Sequence, residues 1–340
     1  MIQRALGKII EQQDLTREEA SLLMNQIMRG EATAAQVGSL CTALRMKGES
    51  IEELAGFAKV LREHAIPIKP EIHRTLVDTC GTGGDGASTF NISTTSAFVV
   101  AGAGVPVVKH GNRGVSSRCG SADVLEALGV KVDINPDIAC RTLSRYGITF
   151  LYAPYYHPAM RHVMGVRREL GFRTIFNLLG PLANPAGATA QLMGVYHPSL
   201  TEKMSHVLNL LGTERAMVVH GEGLDEITTH GMTRVSELAS GATRTYTIHS
   251  EDFGIKRASL HDLRGGDADL NARILMEVLS GTKGAARDIV LLNAGAAIYL
   301  GGKARGIADG VILAEESIDS GRALRALEGL VNETGARRGS

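Results

Sequence analysis

Residues 1 to about 66 carry apolar positions at helical spacing. Leu6, Ile9 and Ile10 come first, and Leu22, Leu23, Ile27 and Met28 follow Thr16, which has Glu19 three residues on. A third run covers 33–46, and a fourth reaches Ala65 from Ser50 and Glu53. Ser or Thr followed at the third position by Glu is the reciprocal N-terminal cap, so the expectation is a series of capped helices. A break at Ile66-Pro67-Ile68-Lys69-Pro70 then separates a helical domain, 1–70, from the remainder, 71–340. Beyond it the rhythm changes. Short apolar runs at 75–79, 105–108, 130–133, 148–151, 192–196 and 216–220 read as strands, with helical spacing over 136–146 and 198–211. That alternation predicts an α/β domain with a central sheet flanked by helices. The stretch 163–186 is helical in pattern and interrupts the alternation, so it is expected to join the helical domain. The tail holds helical runs at 269–280, 285–300 and 307–331; the second is apolar nearly all round and is expected to be buried.

Composition narrows the classes. A chain of 340 residues with 44% hydrophobic content suits one large or two modest domains. Lys plus Arg equals Asp plus Glu at 36 each, which argues against a general nucleic-acid or anionic-membrane surface. The N-terminal segment lacks a long apolar core, and no later run reaches about 18 apolar residues, so no membrane partner and a cytoplasmic location are expected. Cys41, Cys80, Cys119 and Cys140 show no C-x-x-C spacing, and no H-E-x-x-H occurs. Neither a zinc nor a redox motif is indicated.

The chemistry concentrates in three turns. After the run at 75–79 come Gly81, Gly83, Gly84 and Gly86, then the capping-type residues 91–96 opening a small-residue helix. Strand, glycine loop and helix N-terminus together make an anion nest. The next strand runs into Lys109, His110, Asn112, Arg113, Gly114, Ser116, Ser117 and Arg118. Two such loops from neighbouring strands, one offering backbone donors and the other cations and hydroxyls, suit a substrate with more than one phosphate. A glycine loop alone is more often plain turn punctuation; the second loop weakens that reading. Gly86 is followed by Ala87, so the loop is no Walker motif, and G-x-G-x-x-G is matched without the acid a dinucleotide site needs about 20 residues on. The third turn, 221–227, presents Asp225 and Glu226. An acidic pair alone is usually a solvated turn; beside a phosphate site it suits Mg²⁺, which binds through one or two carboxylates plus substrate phosphates.

Taken together, G-T-G-G-D-G at 81–86, N-I-S-T at 91–94, K-H-G-N-R at 109–113, the stretch from Val166 to Pro185 and H-G-E-G-L-D-E at 220–226 resemble the anthranilate phosphoribosyltransferase family of tryptophan biosynthesis, over essentially the whole chain. The resemblance implies a fold like the class II nucleoside phosphorylases and a homodimer formed through the helical domain. It also implies Mg²⁺-dependent transfer of phosphoribose from PRPP to the amino group of anthranilate, with two ions. It places PRPP on Gly81, Gly84, Asp85, Thr89, Asn91, Ile92, Ser93, Thr94, Lys109, His110, Gly111, Asn112, Arg113, Gly114, Ser116 and Ser117, with Ser121 at the edge. It gives Ser93, Asp225 and Glu226 as the Mg²⁺ ligands, and Gly81, Asn112 and Arg167 as the anthranilate contacts. Lys109, Asp225 and Glu226 are then the catalytic set. A guanidinium grips a planar carboxylate in bidentate fashion, which makes chemical sense of Arg167; its neighbour Arg168 reads as surface charge. No general base is named: an aromatic amine is neutral at pH 7, and His110 is either a base or a fixture of the loop. Two rivals share the architecture. A pyrimidine nucleoside phosphorylase is disfavoured by the 109–113 sequence with Arg167, and a non-catalytic nucleic-acid binder by the balanced charge and the Asp225–Glu226 pair.

Overall fold

The computed structural model describes residues 2–114 and 118–335. Four helices come first: α1 (Ile2–Ile10), α2 (Arg17–Met28), α3 (Ala34–Lys47) and α4 (Ile51–Glu63). Reciprocal caps open three of them, between Thr16 and Glu19, Thr33 and Gln36, and Ser50 and Glu53. Glu53 is also buried, and its carboxylate accepts from the Leu15 N–H at 3.0 Å and pairs with Lys47 at 3.0 Å. One cap therefore ties α4 to the α1–α2 connection and to the end of α3.

The chain continues through β1 (Val77–Gly81), α5 (Ile92–Gly102), β2 (Val107–Gly111), α6 (Ser121–Ala127), α7 (Pro136–Tyr146) and β3 (Ile148–Tyr152). Then come α8 (Ala153–Tyr156), α9 (Arg161–Leu170), α10 (Ile175–Leu179), β4 (Ala190–Gly194), α11 (Leu200–Leu210), β5 (Arg215–Gly221), β6 (Met232–Ala239) and β7 (Ala242–His249). The tail forms α12 (Ala268–Leu279), α13 (Ala285–Leu300), α14 (Ile307–Asp319) and α15 (Arg322–Thr334). The strands make one seven-stranded sheet in the order β3-β2-β1-β4-β5-β6-β7, parallel from β3 to β5 and antiparallel thereafter.

Side-chain alternation divides the core between the two faces. On β5, Met217 and Val219 enter one cluster with α5 and α12 to α15, whereas Ala216 and Val218 enter another with α1 to α4, α9, α10 and α11. The 163–186 stretch thus packs with the N-terminal helices. α13 is buried along nearly its whole length, as its all-round apolar pattern requires. It crosses α14 so closely that a Cβ on Gly310 would lie 2.1 Å from the Gly295 carbonyl oxygen.

Four local expectations are corrected. The 130–133 run is no strand: Val130, Val132 and Ile134 alternate inward, but the backbone bonds to α15, with the Lys131 N–H donating to Thr334 Oγ1 at 3.2 Å. The β6–β7 hairpin lies outside the expected strands; its turn, Ser240 (φ 51°) and Gly241 (φ 78°), has both residues left-handed, as a two-residue hairpin demands. The 307–331 run is two helices, broken at Gly321 (φ 71°). β2 extends to Gly111, so Lys109 and His110 belong to the strand rather than to the loop after it.

The chain leaves β1 for β2 and β3 on one side and returns with β4 on the other. That reversal opens a crevice at the carboxyl ends of β1 and β4, where open α/β sheets bind ligands.

Candidate active site

A cavity of about 830 Å³ occupies this crevice and runs toward α9 and α10. Of the residues expected at the site, all those described line it except Gly111. That glycine lies beneath Ser121, whose Oγ would be 2.2 Å from an added Cβ. Ser116 and Ser117 lie outside the described residues.

The acidic turn after β5 lies across the ends of two strands. A Cβ on Gly194, the last residue of β4, would be 1.5 Å from the Asp225 carbonyl oxygen, and one on Gly81, the last of β1, 2.4 Å from Asp225 Oδ2. Only glycine leaves the room. Asp225 Oδ2 accepts the Gly83 N–H at 2.7 Å, and the Asp225 N–H points to Asp85 Oδ2 at 3.4 Å. Glu226 Oε1 accepts the Ser93 N–H at 3.1 Å, so a carboxylate faces the α5 N-terminus, the expected phosphate seat. Burial, then the nearby Asp85, pushes Asp225 up to about 7. Burial and the charge of Asp225 push Glu226 well above the usual carboxylate range.

Asn91 occupies the N-cap position of α5, yet its side chain makes no cap. It turns sideways, donating to the Cys119 carbonyl at 3.3 Å and accepting from Asn271 at 2.9 Å.

Lys109 is the buried cation of the site, 3% exposed, and donates through Nζ to the Thr79 carbonyl and, at 3.3 Å, to Ser93 Oγ. Burial pulls its pKa down, opposed chiefly by Asp78. Asp78 itself sits inside β1, accepting from the His110 N–H at 3.2 Å and from Asn184 Nδ2 at 2.8 Å; burial raises it to about 6 against the pull of Lys109. Asn184 also donates to the Val108 carbonyl at 2.8 Å, so the pair pins β2 to β1 just before Lys109. Sequence reasoning passed over both residues, although a lone acid inside the apolar run V-D-T-C-G was a usable signal.

The rings of His110 and His157 meet at a tilt of 58° with centroids 5.1 Å apart, both buried and both lining the cavity. Burial, reinforced by its neighbour His157, lowers His110 to about 3, and burial lowers His157 to about 4. Both rings are therefore neutral near pH 7. The Arg113 guanidinium turns to acids of its own: it meets Glu126 at 2.5 and 2.7 Å and Asp123 at 3.2 Å, and Nε donates to Tyr152 Oη at 3.1 Å.

The end of the cavity formed by α9 and α10 has Met160, Met164, Phe176 and Pro181 in its wall, with Arg161 and Asn177 among them. Arg167 stands there, its guanidinium 5.6 Å from the Phe176 ring centroid and its Nη1 3.7 Å from Met164 Sδ; burial lowers its pKa. Among the described residues it has no carboxylate partner. Arg168 lines the same cavity but is exposed.

Among the described residues, no group of three or more His, Cys, Asp or Glu side chains could hold a metal ion by itself. Asp225, Glu226 and the Ser93 hydroxyl still form a hard-oxygen set, and the raised pKa values of the two acids mark carboxylates short of positive charge. That donor set fits Mg²⁺ delivered with substrate phosphates.

Two models of the glycosyl transferase class divide the chain as the fold does, into a helical bundle and an α/β part. The "Glycosyl transferase family, helical bundle domain" matches residues 3–65, and the "Glycosyl transferase family, a/b domain" matches 73–324. An anthranilate phosphoribosyltransferase of Methanocorpusculum labreanum is 56% identical over 340 residues, covering 100% of both chains. The crystal structure of anthranilate phosphoribosyltransferase from Thermus thermophilus superposes with a TM-score of 0.92 at 44% identity, covering 97% of this chain and 99% of that one. The Saccharomyces cerevisiae enzyme, solved in complex with PRPP and Mg, gives 0.89 at 29% identity, covering 98% and 97%. The chain belongs to the anthranilate phosphoribosyltransferase family.

Proposed function

We propose that this chain transfers the 5-phosphoribosyl group of PRPP to the amino nitrogen of anthranilate, releasing pyrophosphate, as a step of tryptophan biosynthesis. The observation that carries the reading is one cavity with two unlike ends. Lys109, Asp225 and Glu226 line one end; Met164 and Phe176 line the other, beside Arg167, which has no carboxylate partner among the described residues. A metal-carried diphosphate suits the first, and a flat aromatic acid suits the second.

In the reaction, the bond from C1 of the ribose to the amine nitrogen forms as the bond from C1 to the pyrophosphate oxygen breaks, and the amine then gives up a proton to solvent. Positive charge builds on the ribose ring, as in other glycosyl transfers. Lys109 supplies a fixed cation toward the departing pyrophosphate in a low-dielectric site. Ser93, Asp225 and Glu226 would hold Mg²⁺, which when bound neutralises diphosphate charge; we assign two ions to the complex. Loop residues 81–94, with 109–114 and Ser121, would cradle PRPP, and Gly81, Asn112 and Arg167 would seat anthranilate. His110, lowered to about 3, is a weak base, which favours a structural role for it at the end of β2 over that of a general base. Much of the rate comes from holding the two substrates in line.

The assembly we propose is a homodimer through the helical bundle, where Ile10 (66% exposed), Leu22 (49%) and Met46 (79%) stand on the surface. A cytoplasmic location fits four cysteines that are all unbridged. Among the described residues, no helix is long and apolar enough to cross a membrane.

The test is the decay of anthranilate fluorescence on adding PRPP and Mg²⁺, with an EDTA control and a parallel assay of thymidine or uridine with phosphate. Metal-dependent decay that requires PRPP supports the reading. Phosphate-dependent nucleoside cleavage without such decay replaces it with a phosphorylase.

A further inference from the structure

Asn271, in the first turns of α12, is 1% exposed and is absent from the cavity lining, yet it is bonded to a residue of the phosphate loop. Its carbonyl oxygen accepts the Gly266 N–H at 2.8 Å, and its Nδ2 donates to Asn91 Oδ1 at 2.9 Å. The first bond decides the second. A backbone N–H can only donate, so it fixes which end of the Asn271 amide is oxygen, and the NH₂ must then face Asn91. Asn91 in turn must present its oxygen to Asn271 and its own NH₂ to the Cys119 carbonyl, at 3.3 Å; the Cys119 thiol points to the same Asn91 oxygen at 3.4 Å. The Asn91 amide thus bolts the glycine loop at its entry to α5 onto the far end of the basic loop, and its orientation is set from behind the wall.

The surroundings reinforce this. The segment before α12 runs antiparallel to the second half of the glycine loop, with Phe90 N–H donating to the Leu263 carbonyl at 3.1 Å and Gly265 N–H to the Ser88 carbonyl at 2.9 Å. A Cβ on Gly265 would lie 2.6 Å from Phe90 Cα and 2.5 Å from Asn271 Oδ1, so the strap and the asparagine are packed as one piece.

We propose that Asn271 is a positioning residue for the phosphoribosyl donor, acting through Asn91 to hold the two phosphate-facing loops in register. The inference rests on the reading that these loops cradle PRPP. Replacing Asn271 by Asp keeps the shape but removes the donor. Asn91 then meets an oxygen with an oxygen, and flipping it to relieve that contact turns its carbonyl onto that of Cys119. Either way the bolt opens.

The experiment measures kcat and the KM values for PRPP and anthranilate in Asn271→Asp, Asn271→Ser, Asn91→Ala and the Asn91→Ala/Asn271→Ser double variant, with thermal midpoints alongside. KM does not depend on the fraction of molecules that folds, and Asn271→Ser decides the matter if Asn271→Asp is insoluble. The expected result is a rise in the PRPP KM of about tenfold in both Asn271 variants, with the anthranilate KM within about twofold of wild type. Adding Asn271→Ser to Asn91→Ala should change the PRPP KM no further. A lowered thermal midpoint with an unchanged PRPP KM, or independent multiplying effects in the double variant, overturns the proposal. Wild-type turnover with unaltered Asn271 variants sinks this inference alone; a wild type that does not use PRPP and anthranilate sinks the functional reading and this inference with it.

Discussion

The Asp225 carboxylate accepts the Gly83 backbone N–H at 2.7 Å, which joins the glycine loop after β1 to the acidic turn after β5 as one unit. The contact depends on Gly81, where any Cβ would sit 2.4 Å from Asp225 Oδ2. Gly81→Ala is therefore expected to displace the carboxylate and lower kcat/KM for PRPP by about 100-fold while the protein stays folded. Steady-state kinetics with a circular dichroism control check this; wild-type kinetics would remove the joint from the account.

Asp225→Asn keeps the size of the side chain and gives up one hard anionic ligand. The expected effect is an increase of about tenfold in the Mg²⁺ concentration for half-maximal rate. A Mg²⁺ titration at saturating PRPP reads it, and an unchanged midpoint would reassign the ligand.

Among the described residues Arg167 has no carboxylate partner, so Arg167→Ala should act on one substrate only. The anthranilate KM should rise about 10- to 100-fold, the loss of a charge-assisted bidentate contact, with the PRPP KM unchanged. Equal effects on both substrates would mean a general disturbance of the cavity.

Burial holds His157 at about 4, below its unfolded value near 6.5. Below pH 6.5 the unfolded chain takes up a proton that the native chain refuses. This residue therefore contributes stability above that pH and loses it as pH falls toward 4. Asp78 and Asp225, raised to about 6 and about 7, pull the opposite way, so the difference between variants is the informative quantity. His157→Gln should flatten the rise of unfolding free energy with pH by about 1.4 kcal/mol per pH unit between 4 and 6.5. Urea unfolding across that range tests it, and parallel curves for the two proteins would refute it.

Gly310→Ala probes packing far from the cleft. The added methyl would lie 2.1 Å from the Gly295 carbonyl, so a loss of about 3 kcal/mol in stability with unaltered KM values is expected from denaturant melts and kinetics. Wild-type stability would mean that α13 and α14 part at little cost.

How much of this the sequence carried depended on the range of the forces involved. Caps act within one turn, so Thr16 with Glu19 and Ser50 with Glu53 were readable directly. The glycine loop, Lys109 and the Asp225–Glu226 turn were readable as chemistry because strand ends leave a recognisable order of residue types. Partner choice was not local. Val130, Val132 and Ile134 alternate as a strand would, but the Val130 N–H goes to the Leu125 carbonyl and the Lys131 N–H to the Thr334 side chain at the end of α15 instead of to a neighbouring strand. Asn91 has the right residue type for a cap and spends its side chain on Cys119 and Asn271 instead. Arg113 looked like a phosphate cation and faces Glu126, thirteen residues along the chain. The hairpin at Ser240 and Gly241 had a legible signal, a Ser-Gly pair between alternating polar and apolar runs.

The central claim is a single transfer between two substrates held in one cavity, and the most direct measurement follows one substrate and one product in one tube. Anthranilate loss is read by fluorescence and pyrophosphate by phosphorus resonance, in the presence of Mg²⁺. The account predicts one pyrophosphate released for each anthranilate consumed, and none when anthranilate is left out. Pyrophosphate release at the same rate without anthranilate would contradict it, because the aromatic amine would then not be the acceptor.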